Sequence, residues 1–111
     1  MLRSSFFIPA LVILLTACGG ESLDDLPRVS LSPELQAIYE RSCKNCHEVP
    51  ATGSPQTGNA EQWALILEKP MDEVLARVVN GYGGMPPLGQ CFECNMEQFE
   101  TLVHYMSRPE I

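Results

Sequence analysis

Cys43-Lys44-Asn45-Cys46-His47 is the stretch from which the chain is best read. Two thiols three residues apart lie on one side of a helical turn, and the next residue is an imidazole. That spacing suits the addition of two cysteine sulfurs to the two vinyl groups of a haem, with the histidine turning in to the iron from the same side. A C-x-x-C string also serves zinc sites and dithiol redox centres. The remainder of the chain has to discriminate among these.

Length and charge set the bounds. With 111 residues there is room for one small domain. The formal charge is −7, from 14 acidic and 7 basic residues, which argues against a nucleic-acid partner. An acidic surface favours solubility and attracts a basic docking partner. At the start, Arg3 precedes an apolar run from Phe6 to Leu15 that is too short to span a bilayer. The run ends in Leu15-Thr16-Ala17-Cys18 and resembles a bacterial lipoprotein signal. The resemblance implies that residues 1–17 are removed and that Cys18 carries lipid. Gly19 stands where an aspartate would retain the protein in the inner membrane, so a periplasmic protein anchored to the outer membrane is expected. Disulfides persist in that compartment. The five cysteines then divide into Cys18 for lipid, Cys43 and Cys46 for haem, and Cys91 with Cys94 for each other.

Residues 19–31 mix Gly, Asp, Pro and Ser without apolar periodicity and read as a flexible tether. Such a linker spans roughly 20 Å. Ser32 as N-cap and Pro33 at the first helical position open a helix, with Leu35, Ile38 and Tyr39 at helical spacing and Cys43 one turn further on. Prolines and glycines make 48–58 a loop. A second helix follows Asn59, with Gln62 placed for a capping box, and Pro70 stops it. A third runs from Met71 to Asn80-Gly81, with Val74, Leu75, Val78 and Val79 on one stripe. Asn95 caps a last helix on which Met96, Phe99, Leu102, Val103 and Met106 keep helical spacing. No alternating strand pattern occurs, so the domain is expected to be all-α, with four short helices.

Met85 differs from the other methionines. Met71, Met96 and Met106 belong to apolar helical faces, where gap-filling is the usual role. Met85 stands in a loop between Gly83-Gly84 and Pro86-Pro87. Glycines let backbone approach a flat ligand and prolines stiffen the exit. That setting presents a thioether to an iron with little freedom to swing away.

These features together resemble a small class I c-type cytochrome, most similar to the cytochrome c5 family. Tyr39 stands four residues before the C-x-x-C-H, as an aromatic often does there. Pro55 matches the family proline whose carbonyl accepts a hydrogen bond from the ligand histidine. Trp63 matches a tryptophan near the haem propionates, although plain core packing also accounts for it. Asn80-Gly81 through Met85-Pro86-Pro87 matches the methionine loop, and Cys91-Phe92-Glu93-Cys94 matches the cysteine pair of the c5 group. Leu35 departs from the pattern, since many relatives have glycine where the first and last helices cross. His104 reads as a surface histidine.

The resemblance implies a cytochrome c domain over residues 32–111, wrapped around one covalently attached haem c. His47 and Met85 would be the axial ligands of a single-electron carrier that is not an enzyme and takes no small-molecule substrate. Its partners would be redox proteins. A Cys91–Cys94 disulfide would close a short loop contributing roughly 2 kcal/mol. Two other readings stand beside it: a structural zinc module on Cys43, Cys46, Cys91 and Cys94, and a thiol–disulfide oxidoreductase using Cys91 and Cys94.

Overall fold

Ser32 begins the folded part of the domain in the way a helix cap should. Its hydroxyl accepts from the Leu35 backbone N–H at 3.3 Å, and α1 (Pro33–Arg41) follows. The computed structural model describes residues 19–20 and 22–110; the signal stretch 1–17 and Cys18 lie outside them. Helix α1 does not run on into the cysteine motif. It ends at Ser42, and Lys44–His47 form a separate single turn, α2. The Asn45 amide donates to the Arg41 carbonyl at 2.9 Å, which satisfies an acceptor that the break leaves without an intrahelical partner. The first of the four expected helices is therefore two, and the described residues hold five α-helices and three short 3₁₀ turns.

Helices α3 (Ala60–Leu67), α4 (Met71–Asn80) and α5 (Met96–Ser107) complete the set. Asn59 caps α3 by accepting from Gln62 N at 3.0 Å, but the expected capping box is half formed. The Gln62 side chain instead accepts from the Gln56 backbone N–H at 2.8 Å and draws the preceding loop onto the helix. Asn95 and Gln98 do form the full reciprocal box at the start of α5, each side chain accepting from the other's backbone N–H at 2.9 Å. Ile38, Tyr39, Trp63, Val74, Leu75, Cys91, Phe99, Leu102, Val103 and Met106 are buried together. Leu35, in place of the family glycine, packs half-buried against this cluster, and α1 still crosses α5. The Tyr39 and Tyr105 rings meet edge-on at that crossing, 5.0 Å apart. Met96, expected on the apolar face of α5, is half exposed because it occupies the first position, ahead of the part of the helix that reaches the core.

Part of the stretch read as a tether is in contact with the folded domain. Val29 pairs with the end of the chain, donating to Arg108 O and accepting from Glu110 N, each at 2.9 Å. The Arg108 Nε donates to Pro27 O at 2.9 Å. Leu23 and Leu31 pack on the core, with Leu23–Asp25 forming a 3₁₀ turn beside α3. Two leucines and three hydrogen bonds hold a segment whose composition is that of a linker.

Candidate haem site

The turn of α2 carries its reactive side chains one turn apart. Cys46 N and His47 N both donate to the Cys43 carbonyl, at 3.2 and 3.0 Å. Cys43 and Cys46 are free thiols, the first half-buried and the second exposed. Burial pushes the Cys43 thiol up to about 11, so it stands protonated near neutral pH. His47 is buried, and burial lowers its imidazole below the ordinary range, opposed in part by its bond to Pro55.

That bond decides the tautomer. His47 Nδ1 lies 2.7 Å from the Pro55 carbonyl oxygen. A carbonyl only accepts, so Nδ1 carries the proton and Nε2 keeps its lone pair for a metal. The loop supplying the carbonyl is itself tied down. Thr57 N donates to His47 O at 2.7 Å. Tyr39 donates its hydroxyl to Glu48 at 2.7 Å and lies 2.8 Å from Thr57 Oγ1. The hydroxyls of Thr52 and Ser54 and the amide of Gln56 converge on the Cys46 carbonyl at 3.0, 2.7 and 3.2 Å.

Trp63 belongs to the same side, with its ring 5.9 Å from that of His47. Its indole N–H donates to the Gln56 carbonyl at 2.9 Å. An indole has one donor, so this N–H is not free for a propionate. Trp63 contributes its ring face to the site, a role that the spacing of the sequence does not reveal.

The methionine side is built from backbone. Tyr82 and Met85 exchange both backbone hydrogen bonds, at 3.1 and 2.9 Å, with Gly83-Gly84 as the turn between them. Gly81 has φ of +82°, and a Cβ there would come within 2.9 Å of the Met85 carbonyl oxygen. Beyond Pro86-Pro87, Leu88 and Gln90 hold left-handed φ of 60° and 65°, uncommon for residues with side chains. A Cβ on Gly89 would lie 3.3 Å from the Met85 methyl. The Cys91–Cys94 disulfide follows and leads into α5.

Between the two sides lies a cavity of about 390 Å³. Cys43, Cys46, His47 and Met85 all line it, with Trp63, Val74, Phe99, Leu102 and Val103 as apolar wall. Packed interiors leave few voids larger than a water molecule, so a hollow of this size at the centre of so small a core is room for a group. Two thiols, one imidazole with a free Nε2, one thioether and an apolar lining fit a haem. Met106 also lines the cavity, so the structure brings a second thioether to the wall where the helical spacing reads as plain core. His104 stays off the site, on α5, with Nε2 3.6 Å from Glu100.

The zinc alternative is overturned. Cys91 and Cys94 are bonded to each other, and among the described residues no three His, Cys, Asp or Glu gather as a metal site. The oxidoreductase alternative needs an α/β setting, and the described residues form no strand beyond isolated bridges.

Known proteins agree with this geometry. The domain model described as cytochrome C oxidase, cbb3-type, subunit III matches residues 32–106. The chain is 28% identical over 72 residues to cytochrome c5 of Ectopseudomonas mendocina, covering 63% of this chain and 83% of that protein. It is 32% identical over 75 residues to cytochrome c-555 of Chlorobaculum thiosulfatiphilum, covering 64% and 87%. It is also similar to the cytochrome c in the crystal structure of an electron transfer complex of nitrite reductase with cytochrome c. That match has a TM-score of 0.60 and 31% identity, over 70% of this chain and 95% of the other.

Proposed function

We propose that this chain, which belongs to the cytochrome c family and carries haem c, is a monohaem electron carrier with the haem attached through Cys43 and Cys46 and with His47 and Met85 as axial ligands. When bound, the haem supplies a one-electron iron couple. His47 offers Nε2 because Pro55 holds Nδ1–H, and the restrained loop holds the Met85 thioether against the cavity. With both axial positions taken, no position stays open for a substrate, which favours a carrier over an enzyme. Methionine opposite histidine and an apolar wall both raise the reduction potential.

The observation that carries this reading is the presence of both thiols, His47 and Met85 in the wall of one cavity. Redox titration of the holoprotein, with a carbon monoxide challenge, tests it. A covalent haem spectrum, a moderately positive potential and slow carbon monoxide binding are expected. Rapid binding by the unmodified protein would replace the carrier with a sensor or an enzyme.

The similar cytochrome in complex with a nitrite reductase supports a redox protein as partner. Among the described residues no carboxylate lines the cavity, although the whole chain is acidic. The acidic surface that steers a basic partner therefore lies outside the cavity wall. The lipoprotein-like signal supports anchoring of the carrier through Cys18 in the periplasm, at the outer membrane. Cys18→Ser should release it into the soluble fraction or leave it unprocessed.

A further inference from the structure

Among the described residues, Arg77 is the one side chain with a permanent charge in the cavity wall. It lies on α4 between Val74 and Val78, which also line the cavity, and its side chain is 30% exposed. Two contacts hold the guanidinium. Nη2 lies 3.2 Å from Glu73 Oε1, and Cζ stands 4.1 Å over the centre of the Tyr82 ring. The Glu73 contact uses one of the five N–H donors of arginine, and no other hydrogen bond from this side chain occurs among the described residues.

Among the described residues the wall holds no lysine and no other permanent cation to meet the two carboxylates that a haem c carries. A carboxylate at such a site is costly unless paired and hydrogen-bonded. The indole N–H of Trp63 is already committed to Gln56. The planar guanidinium is suited to a carboxylate, since it offers two parallel donors. We propose that Arg77 is the counter-ion of one haem propionate, a positioning residue that sets the orientation of the cofactor and keeps the reduction potential high. The cation disfavours the ferric charge and cancels that of the propionate. Glu73 and Tyr82 restrain the guanidinium before any haem is present. The titratable groups beside it are those two and Lys69, whose Nζ lies 3.7 Å from the same Glu73 oxygen; Cys43, Cys46 and His47 complete the titratable set of the wall, and the thiols become thioethers on attachment.

The test is potentiometric titration of the holoprotein between about pH 5 and pH 8, in Arg77→Gln, Arg77→Met and Glu73→Gln. Covalent haem in each variant is first verified by its Soret band after denaturing electrophoresis, so that failure of haem attachment is told apart from failure of this inference. Both neutral variants should show a lower potential than the parent at neutral pH. They should also show a steeper rise on acidification than the parent, as the propionate left unpaired takes up a proton at higher pH. Glu73→Gln should keep the parent profile, because it removes the restraint and leaves the cation. An unchanged potential and pH profile in Arg77→Gln and Arg77→Met would overturn the assignment. So would a Glu73→Gln profile that copies theirs, since the α4 ion pair alone would then explain the effect.

Discussion

The two sides of the cavity are held by different means. The histidine side is a mesh of side-chain hydrogen bonds that runs from Tyr39 through Glu48 and Thr57, and from Trp63 through Gln56, back to the turn of α2. On the methionine side no side chain of residues 81–94 makes a hydrogen bond among the described residues, and the ion pair between Arg41 and Glu93 and the stacking of Arg77 on the Tyr82 ring link it to the rest of the domain. Close glycines, two prolines, left-handed Leu88 and Gln90 and a disulfide restrain it instead. Chemistry explains the contrast. An imidazole has a second nitrogen through which it can be oriented, whereas a thioether has no donor and is a weak acceptor. A methionine is therefore held by the path of its own backbone.

Both sides border a space that protein atoms do not fill, so the largest effect should come from removing what fills it. Changing Cys43 and Cys46 together to Ala should leave the chain poorly structured, because the small core has its centre at the cavity. Native-like helical circular dichroism with a cooperative melt in that variant would show that the two sides stand without haem.

Next in size is Met85→Ala. It should remove the sixth ligand, lower the potential and admit carbon monoxide or cyanide, while Met106→Leu, which nearly conserves volume, should leave the spectrum alone. A reversed result would move the axial role from the loop to α5.

Gly81→Ala tests whether backbone path holds the methionine side. The positive φ and the 2.9 Å approach to the Met85 carbonyl should cost about 1–3 kcal/mol in thermal or denaturant unfolding. The loss should come with a weakened ligand-field band of the methionine. A silent substitution would mean that the loop is set elsewhere.

The smallest effect is expected from Tyr39→Phe on the histidine side, about 1 kcal/mol for hydrogen bonds whose partners Glu48 and Thr57 keep access to water. It carries a pH signature. Burial, above all, raises the Tyr39 hydroxyl above its ordinary value, and Glu48 adds to this against the opposing bond to Thr57. The folded state thus favours the neutral phenol. That contribution is full below the unfolded tyrosine value near about pH 10 and fades as pH rises above it. Melting curves of Tyr39→Phe should therefore decline less steeply in alkali than those of the parent.

Much of this was legible from local pattern. The cap at Ser32, the stop at Pro70, the stripe on α4 and the placing of Met85 in a stiff loop all follow from residues within a few positions of one another. The break after Arg41 was not legible, since helical spacing continues across it and only the Asn45 amide marks the place. Nor was the partner of Gln62, which is a loop N–H at Gln56. Met96 and Met106 share one periodic face, yet one is half exposed and the other lies in the cavity wall.

The sequence by itself determined the covalent motif, the helical class and the turn chemistry. Each depends on one turn of chain or on the φ preferences of Gly and Pro, which are local properties. Tertiary structure alone decided that Pro27 and Val29 bond to residues 108–110, that the Trp63 N–H is spent on Gln56, and that Arg77 stands in the wall beside Tyr82. Periodicity indicates which face of a helix is turned inward. It does not indicate which distant donor, ring or carbonyl will be found there, because those contacts exist only after the elements have packed.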